Sequence, residues 1–181
     1  VWSKPNGLPE SVTDRVRRSH EQFFHLTKEG RYYSNVDEVR EPNDPKNAAH
    51  AARYNEAAKS YGKTNTHRGD LGAGLFISNP LGKLPSSVWT VPTQPLIVPD
   101  WLDVDHFAAF PTEWPRRLIL GWSPPDGIVL DPFGGTGTTA MVARALGRYG
   151  VSCDLSGDYQ RLAKWRIWQS GQGARVAAKT D

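Results

Sequence analysis

The chain has 181 residues, a formal net charge of +3 from 22 Lys and Arg against 19 Asp and Glu, and one cysteine. Its mean hydropathy of −0.55 and isoelectric point near 9.1 predict one domain with a loop-rich insertion, neither membrane-spanning nor secreted. The lone Cys153 rules out an internal disulfide and reads as a small buried residue; the five histidines, His20, His25, His50, His67 and His106, show no ligand spacing and predict no metal site.

In chain order, residues 1 to 8 and 20 to 28 read as strands joined by a polar link, helical or loop, over Val12 to Ser19. Arg15, Arg17 and Arg18 are candidates for phosphate contacts or for a solvated face, and Tyr32-Tyr33 for base stacking or loop anchoring. Asn43-Asp44-Pro45 opens the insertion, in which Ala48 to Tyr61 has the composition of one helix. A short helix is expected over residues 112 to 121, with Thr112 as N-cap and Pro115 in its first turn, carrying the basic pair Arg116 and Arg117. Ser123-Pro124-Pro125-Asp126-Gly127 is turn chemistry. An α/β unit follows over residues 128 to 168, ending on a helix whose Trp165 and Trp168 read as packing residues and whose Arg161, Lys164 and Arg166 read as surface charge. A frayed tail is expected from Gly171 to Asp181.

Within that unit, Leu130-Asp131-Pro132-Phe133-Gly134-Gly135-Thr136-Gly137-Thr138-Thr139 is a glycine-rich turn between an apolar strand and an amphipathic helix that stops at Gly147. Such a turn admits unusual backbone angles and lets a ligand approach the main chain beside a helix N-terminus. A phosphate-binding P-loop is excluded, because no lysine occurs between Lys83 and Lys164. A dinucleotide fingerprint survives only in the variant that places alanine, here Ala140, at the third glycine position. Asp131 opens the loop and Asp154 ends the next apolar run, 23 positions later, close to the roughly 20-residue offset that sets a carboxylate beside ribose hydroxyls. Asp154 is therefore a ribose candidate, and Asp131 suits a ligand with an ammonium group. S-adenosyl-L-methionine has a ribose, an ammonium and a carboxylate but no phosphate. The alternative is that Asp131 caps the turn and Asp154 ends the strand.

The pattern Asp-Pro-Phe-x-Gly-x-Gly-Thr-Thr resembles the cofactor motif of the amino-methylating DNA methyltransferases, which methylate cytosine N4 or adenine N6. Val88 to Gln94 and His106-Phe107-Ala108-Ala109-Phe110-Pro111 resemble the family segment against the methionine end of the cofactor, and Gly157-Asp158-Tyr159 with Leu162, Ala163 and Ile167 the helix after the ribose-binding acid. Trp2 to Asn6, Pro9 to Val12, Asp14-Arg15 and His20 to Lys28 resemble the catalytic half, which precedes the cofactor half in the permuted, beta-type order. The resemblance implies part of a Rossmann-like α/β sheet. Residues 1–40 would end the catalytic half as antiparallel edge strands, 41–87 would form the target-recognition insertion, and 88–170 the cofactor half. It also implies S-adenosyl-L-methionine as cofactor, held by Asp131, Phe133, Gly134, Gly135, Gly137, Thr138, Asp154, Phe107 and Ala108, and double-stranded DNA as partner. A cytoplasmic, nucleoid-associated protein of a prokaryote or phage, tied to restriction-modification, is implied with them.

The family's catalytic tetrapeptide, Asp-Pro-Pro-Tyr or Ser-Pro-Pro-Tyr, does not occur among these residues. Ser123-Pro124-Pro125-Asp126 ends in Asp126, which offers no π-face for a base, so no catalytic residue is nominated. In the beta-type order the tetrapeptide would come before residue 1. The chain is therefore expected to be a C-terminal portion whose central strands are absent and whose sheet edges are open. It would be either completed by another chain or a remnant that binds cofactor or DNA without methylating alone.

Overall fold

The computed structural model describes residues 1–7, 11–46, 79, 81–104 and 109–177, with side chains through residue 170. The helix expected over Ala48 to Tyr61 lies outside these residues. The chain divides into two compact units, Val1–Glu38 with Ser86–Asp181, and Val39–Pro85. In the second unit Glu41 and Lys83 form an antiparallel bridge with both backbone bonds at 2.9 Å, and Arg40 Nη1 donates to the Gly82 carbonyl at 2.8 Å.

In the first unit, β1 (Trp2–Ser3), β2 (His20–Glu21) and β3 (Trp89–Thr90) form a sheet of order β2-β1-β3. β1 runs antiparallel to β2, with Trp2 opposite Glu21, and parallel to β3, with Trp2 opposite Trp89. The antiparallel pairing agrees with expectation, but each strand is two residues long. Pro5 has no N–H to extend the first ladder, and in the second only the face of Phe23 and His25 packs, on Trp114 and Trp122, while Phe24 and Leu26 are 79% and 87% exposed. Trp2 anchors this sheet: it is buried with Val91 and Trp114, its indole meets Trp114 edge-on at 6.0 Å, and Nε1 donates to the Val91 carbonyl at 2.7 Å.

Helix α1 (Glu113–Trp122) begins one residue after Thr112. Thr112 does not cap it; its amide and hydroxyl both reach Gln94 Oε1 at 3.2 Å. Arg116 and Arg117 are both engaged with Glu113 in bonds of 2.8 Å, and Arg117 also lies over the Trp89 ring. Burial raises the Glu113 carboxyl pKa, but the hydrogen bonds and charges of Arg116 and Arg117 outweigh it and hold the group below its ordinary value. The expected turn then follows, with Asp126 in the left-handed region at φ 58° and Gly127 N donating to the Pro124 carbonyl at 2.9 Å.

Strand β4 (Ile128–Asp131), helix α2 (Thr138–Ala145) and strand β5 (Tyr149–Ser152) form a parallel βαβ unit in the register Ile128↔Tyr149 to Asp131↔Ser152. Ile119 of α1 and Val142 and Ala143 of α2 bury one face of it together with Val129. Helix α3 (Gly157–Ala177) starts under a Ser156 cap, whose Oγ accepts from Tyr159 N at 3.3 Å, and packs Leu162 against Leu102 and Val104, with Trp165 at the margin. Trp168 is 59% exposed instead of packed. The backbone stays helical past Gly171, where fraying was expected, because an interior glycine weakens a helix by about 1 kcal/mol without removing a backbone bond.

Among the described residues, none covers the other face of the βαβ unit. Registered pairs Ile128 and Tyr149, then Leu130 and Val151, point there at 74%, 66%, 59% and 43% exposure, although parallel sheets are normally covered on both faces. Tyr149 N donates to Gly127 O and Cys153 N to Asp131 O, so the alternate backbone groups of Ile128 and Leu130 point to the free edge of β4.

Gly150 lies against a neighbouring main chain that cannot rotate away: a Cβ there would lie 2.6 Å from the Ala140 backbone. Gly150→Ala is expected to cost about 3 kcal/mol of unfolding free energy, more than Gly147→Ala. The latter meets nothing within 4 Å and bears only the left-handed penalty of roughly 1–2 kcal/mol; urea denaturation compares the two. Glu113→Gln tests the α1 ion pairs. A depressed folded-state pKa stabilises above the unfolded value and is lost as pH falls through the folded one. The deficit of Glu113→Gln in melting temperature should therefore be present at neutral pH and close below about pH 4.5.

Candidate functional site

The glycine loop joins β4 to α2, and three ionic side chains from separate elements fasten it. Asp131, at the end of β4, accepts from Phe133 N at 3.1 Å through Oδ1 and from the Thr139 hydroxyl at 2.6 Å through Oδ2. Asp154, just beyond β5, accepts from Gly135 N at 2.9 Å and from Ser156 N at 2.8 Å. Arg166, on α3, donates through Nη1 to the Thr136 carbonyl and hydroxyl and to the Thr138 hydroxyl, at 2.7 to 2.8 Å. The structure thus brings both acids to the loop, each with its two oxygens engaged by protein donors. A carboxylate has about four acceptor positions, so each keeps capacity for a hydroxyl or an ammonium.

The glycines act through space more than through donors. The amides of Gly134, Gly135 and Gly137 are taken by Cys153 O, Asp154 Oδ2 and Gly134 O. Gly137 is obligatory on two counts: its φ is +75°, and a Cβ would lie 2.6 Å from the Ala163 Cβ of α3. By helix geometry the amides of Thr138 to Ala140 have no partner within α2, leaving the donors of the helix terminus as the main-chain groups for a ligand. Thr138 itself is 1% exposed, and its hydroxyl belongs to the underside of the loop. Phe133 is 88% exposed, and Leu155, beside Asp154, is fully exposed. Phe107 and Ala108 lie outside the described residues.

Three readings change. Arg166, grouped with Arg161 and Lys164 as surface charge, is 9% exposed and inward, and burial pushes its guanidinium below its usual pKa. The only sequence signal for it is its distance of three from Ala163, one turn along the same helix face. Cys153 is exposed instead of buried, because only its backbone serves the loop. Leu155 was not singled out, although an apolar residue directly after a strand-ending acid is such a signal. Elsewhere, a cavity of about 290 Å³ is lined by His25, Lys28, Arg31, Tyr32, Tyr33 and Trp122. The His25 ring stands edge-on to Tyr32 at 5.2 Å and to Trp122 at 5.4 Å. Among the described residues no three His, Cys, Asp or Glu side chains cluster as metal ligands, and no helix is long and apolar enough to cross a membrane.

Residues 1–165 match the sequence model of a protein family described as DNA methylase. Type II methyltransferase M.SmaI of Serratia marcescens is 36% identical over 168 residues, 92% of this chain and 44% of that protein. Type II methyltransferase M.Cfr9I of Citrobacter freundii is 35% identical over 167 residues, 92% of this chain and 42% of that protein. The chain thus spans less than half the length of these curated relatives. Of solved structures, the cytosine-N4-specific PvuII DNA methyltransferase aligns with TM-score 0.42 and 26% identity over 46% of this chain and 32% of that one.

The clamp at Asp154 can be tested without a ligand. Asp154→Ala should speed hydrogen exchange at the Gly135 and Ser156 amides by roughly tenfold to hundredfold, the worth of a charge-assisted hydrogen bond, with exchange in α1 unchanged. Amide-resolved exchange by NMR reads both.

Proposed function

Since the chain belongs to the DNA methylase family, we propose that it is the cofactor-binding portion of a site-specific DNA amino-methyltransferase. That enzyme moves a methyl group from S-adenosyl-L-methionine to cytosine N4 or adenine N6. The observation that carries this is the meeting of Asp131 and Asp154 on one glycine loop. Two carboxylates with spare acceptor positions suit ribose hydroxyls and an ammonium, the absence of a loop lysine disfavours a phosphate ligand, and exposed Phe133 and Leu155 offer apolar surface to an adenine or a thioether arm. These residues fit the cofactor.

When bound, the cofactor supplies an electrophilic methyl on its sulfonium. The chain's part is positioning: Asp154 fixes the ribose, Asp131 faces the ammonium, and the loop with Phe133 encloses the methionine portion, with Phe107 and Ala108 on its other side by family resemblance. The target base must leave the duplex, at a cost of a few kcal/mol. The cavity of His25, Tyr32, Tyr33 and Trp122, edged by Lys28 and Arg31, has the aromatic faces and positive charge for a base and its phosphates. Residues 41–87 are assigned to target recognition, and the protein to the nucleoid of a prokaryotic cytoplasm.

Methylation is assigned to this portion together with a catalytic half. The free edge of β4 and the bare face of Ile128, Leu130, Tyr149 and Val151 suit further strands and a covering layer, extending β4-α2-β5 into a Rossmann-like sheet. On the opposite face, toward α1, an apolar cavity of about 330 Å³ is lined by Trp2, Phe23, Trp114, Ile119, Val129 and Thr139, and among the described residues the buried Trp114 Nε1 has no acceptor. The same openness favours a second reading, a remnant that binds cofactor or DNA and methylates nothing. With tritiated S-adenosyl-L-methionine, the 181 residues alone should bind cofactor and leave duplex DNA unlabelled. Labelling should appear when a polypeptide carrying a Pro-Pro-aromatic tetrapeptide is added. Labelling by the chain alone refutes the requirement for a catalytic half, and cofactor binding without labelling in any mixture favours the remnant.

A further inference from the structure

Helix α3 meets the glycine loop at two points one turn apart. At the first, Ala163 fills the space that a Cβ on Gly137 would need. At the second, one nitrogen of Arg166 meets three oxygens of the loop and the start of α2. Nη1 has two hydrogens for those three acceptors, and a guanidinium accepts nothing. Both threonine hydroxyls must therefore accept from it, while their own 3.3 Å contact uses one of their protons.

This is a costly arrangement for a purely structural contact. Arg166 is 9% exposed, and among the described residues no carboxylate pairs with it. A buried cation without a counter-charge is expensive, and apolar residues of similar volume hold elements together at least as well. Leu162 and Ala163 already supply apolar packing between α3 and its neighbours. What the guanidinium adds is direction, because it fixes the carbonyl and hydroxyl of Thr136, the residue between Gly135 at φ +48° and Gly137 at φ +75°. Those two left-handed positions set the path of the loop's outer surface.

We propose that Arg166 is a positioning residue of the cofactor site, holding the glycine loop from behind in the shape that receives S-adenosyl-L-methionine. The proposal rests on the reading of that loop as the cofactor site. Arg166 touches no reacting atom and acts through Thr136 and Thr138. Its neighbours Arg161 and Lys164, exposed on the same helix, have no such part.

The test combines calorimetric titration with S-adenosyl-L-methionine and amide hydrogen exchange on the full chain. Arg166→Met should weaken binding about tenfold, the loss expected for hydrogen bonds from a charged donor. It should also speed exchange at Gly134 to Thr138 while β4, β5 and α1 keep their protection. Arg166→Lys should recover part of both losses, and Arg161→Met and Lys164→Met should match the unsubstituted chain. Should Arg166→Met fail to fold, Thr136→Val removes one of the three acceptors and should give the same two effects in milder form.

Wild-type affinity and wild-type loop exchange in Arg166→Met, or in Thr136→Val where that variant stands in, would overturn the proposal. So would loss of protection spread evenly over the βαβ unit in Arg166→Met and Arg166→Lys alike, the signature of a merely structural residue. If the unsubstituted chain binds no cofactor, the reading of the site falls. Exchange at Gly134 to Thr138 in Arg166→Met still decides whether Arg166 sets the loop.

Discussion

The six residues between β4 and α2 have no regular secondary structure to stiffen them, and the order of the whole βαβ unit turns on how they are held. The structure meets that constraint with ionic side chains acting on the backbone. Asp131 takes Phe133 N, Asp154 takes Gly135 N, and Arg166 takes the Thr136 carbonyl. Each anchor comes from a different element, the end of β4, the segment after β5 and the middle of α3, so the loop keeps its shape only while all three elements are docked. This ties the shape of the loop to the packing of Leu162 and Ala163 and of Val142 and Ala143. Preorganisation of this kind lowers the ordering cost otherwise met at binding.

The same residues account for the glycines. Gly150 lets β5 pass the Ala140 backbone, and Gly137 lets α3 reach the loop. With β5 and α3 pressed against the loop, the distances at which Asp154 and Arg166 make hydrogen bonds follow. The glycines thus appear first as packing residues and only second as a cradle.

The rest of the unit is half-built around this centre. One face of β4-α2-β5 is covered by α1 and α2; the other carries four exposed apolar side chains beside a free strand edge. The small sheet β2-β1-β3 has its own tryptophan core and shares no strand with β4-β5 among the described residues. The unit thus pairs a preorganised loop with a sheet face that no described residue covers. The anchors of the loop are all local to residues 131–166, so its shape does not depend on what lies against the bare face.

The sequence by itself determined the local elements and the family. Ile128 to Leu130, the glycine run, the stop at Gly147 and the Pro-Pro-Asp-Gly turn specify their own backbone through side-chain period and steric permission, which are short-range properties. The DNA methylase resemblance rests on the same contiguous residues. Tertiary structure decided what distance in the chain hides: that β1 has a parallel partner in β3 87 residues along, that residues 1 to 7 and 20 to 28 have too little ladder to be long strands, and that Arg166, alike in type to Arg161, turns inward to serve Thr136. Nothing in the composition of α3 distinguishes those two arginines. Only the docking of Ala163 on Gly137 fixes which face of the helix meets the loop, and with it which charge becomes part of the site.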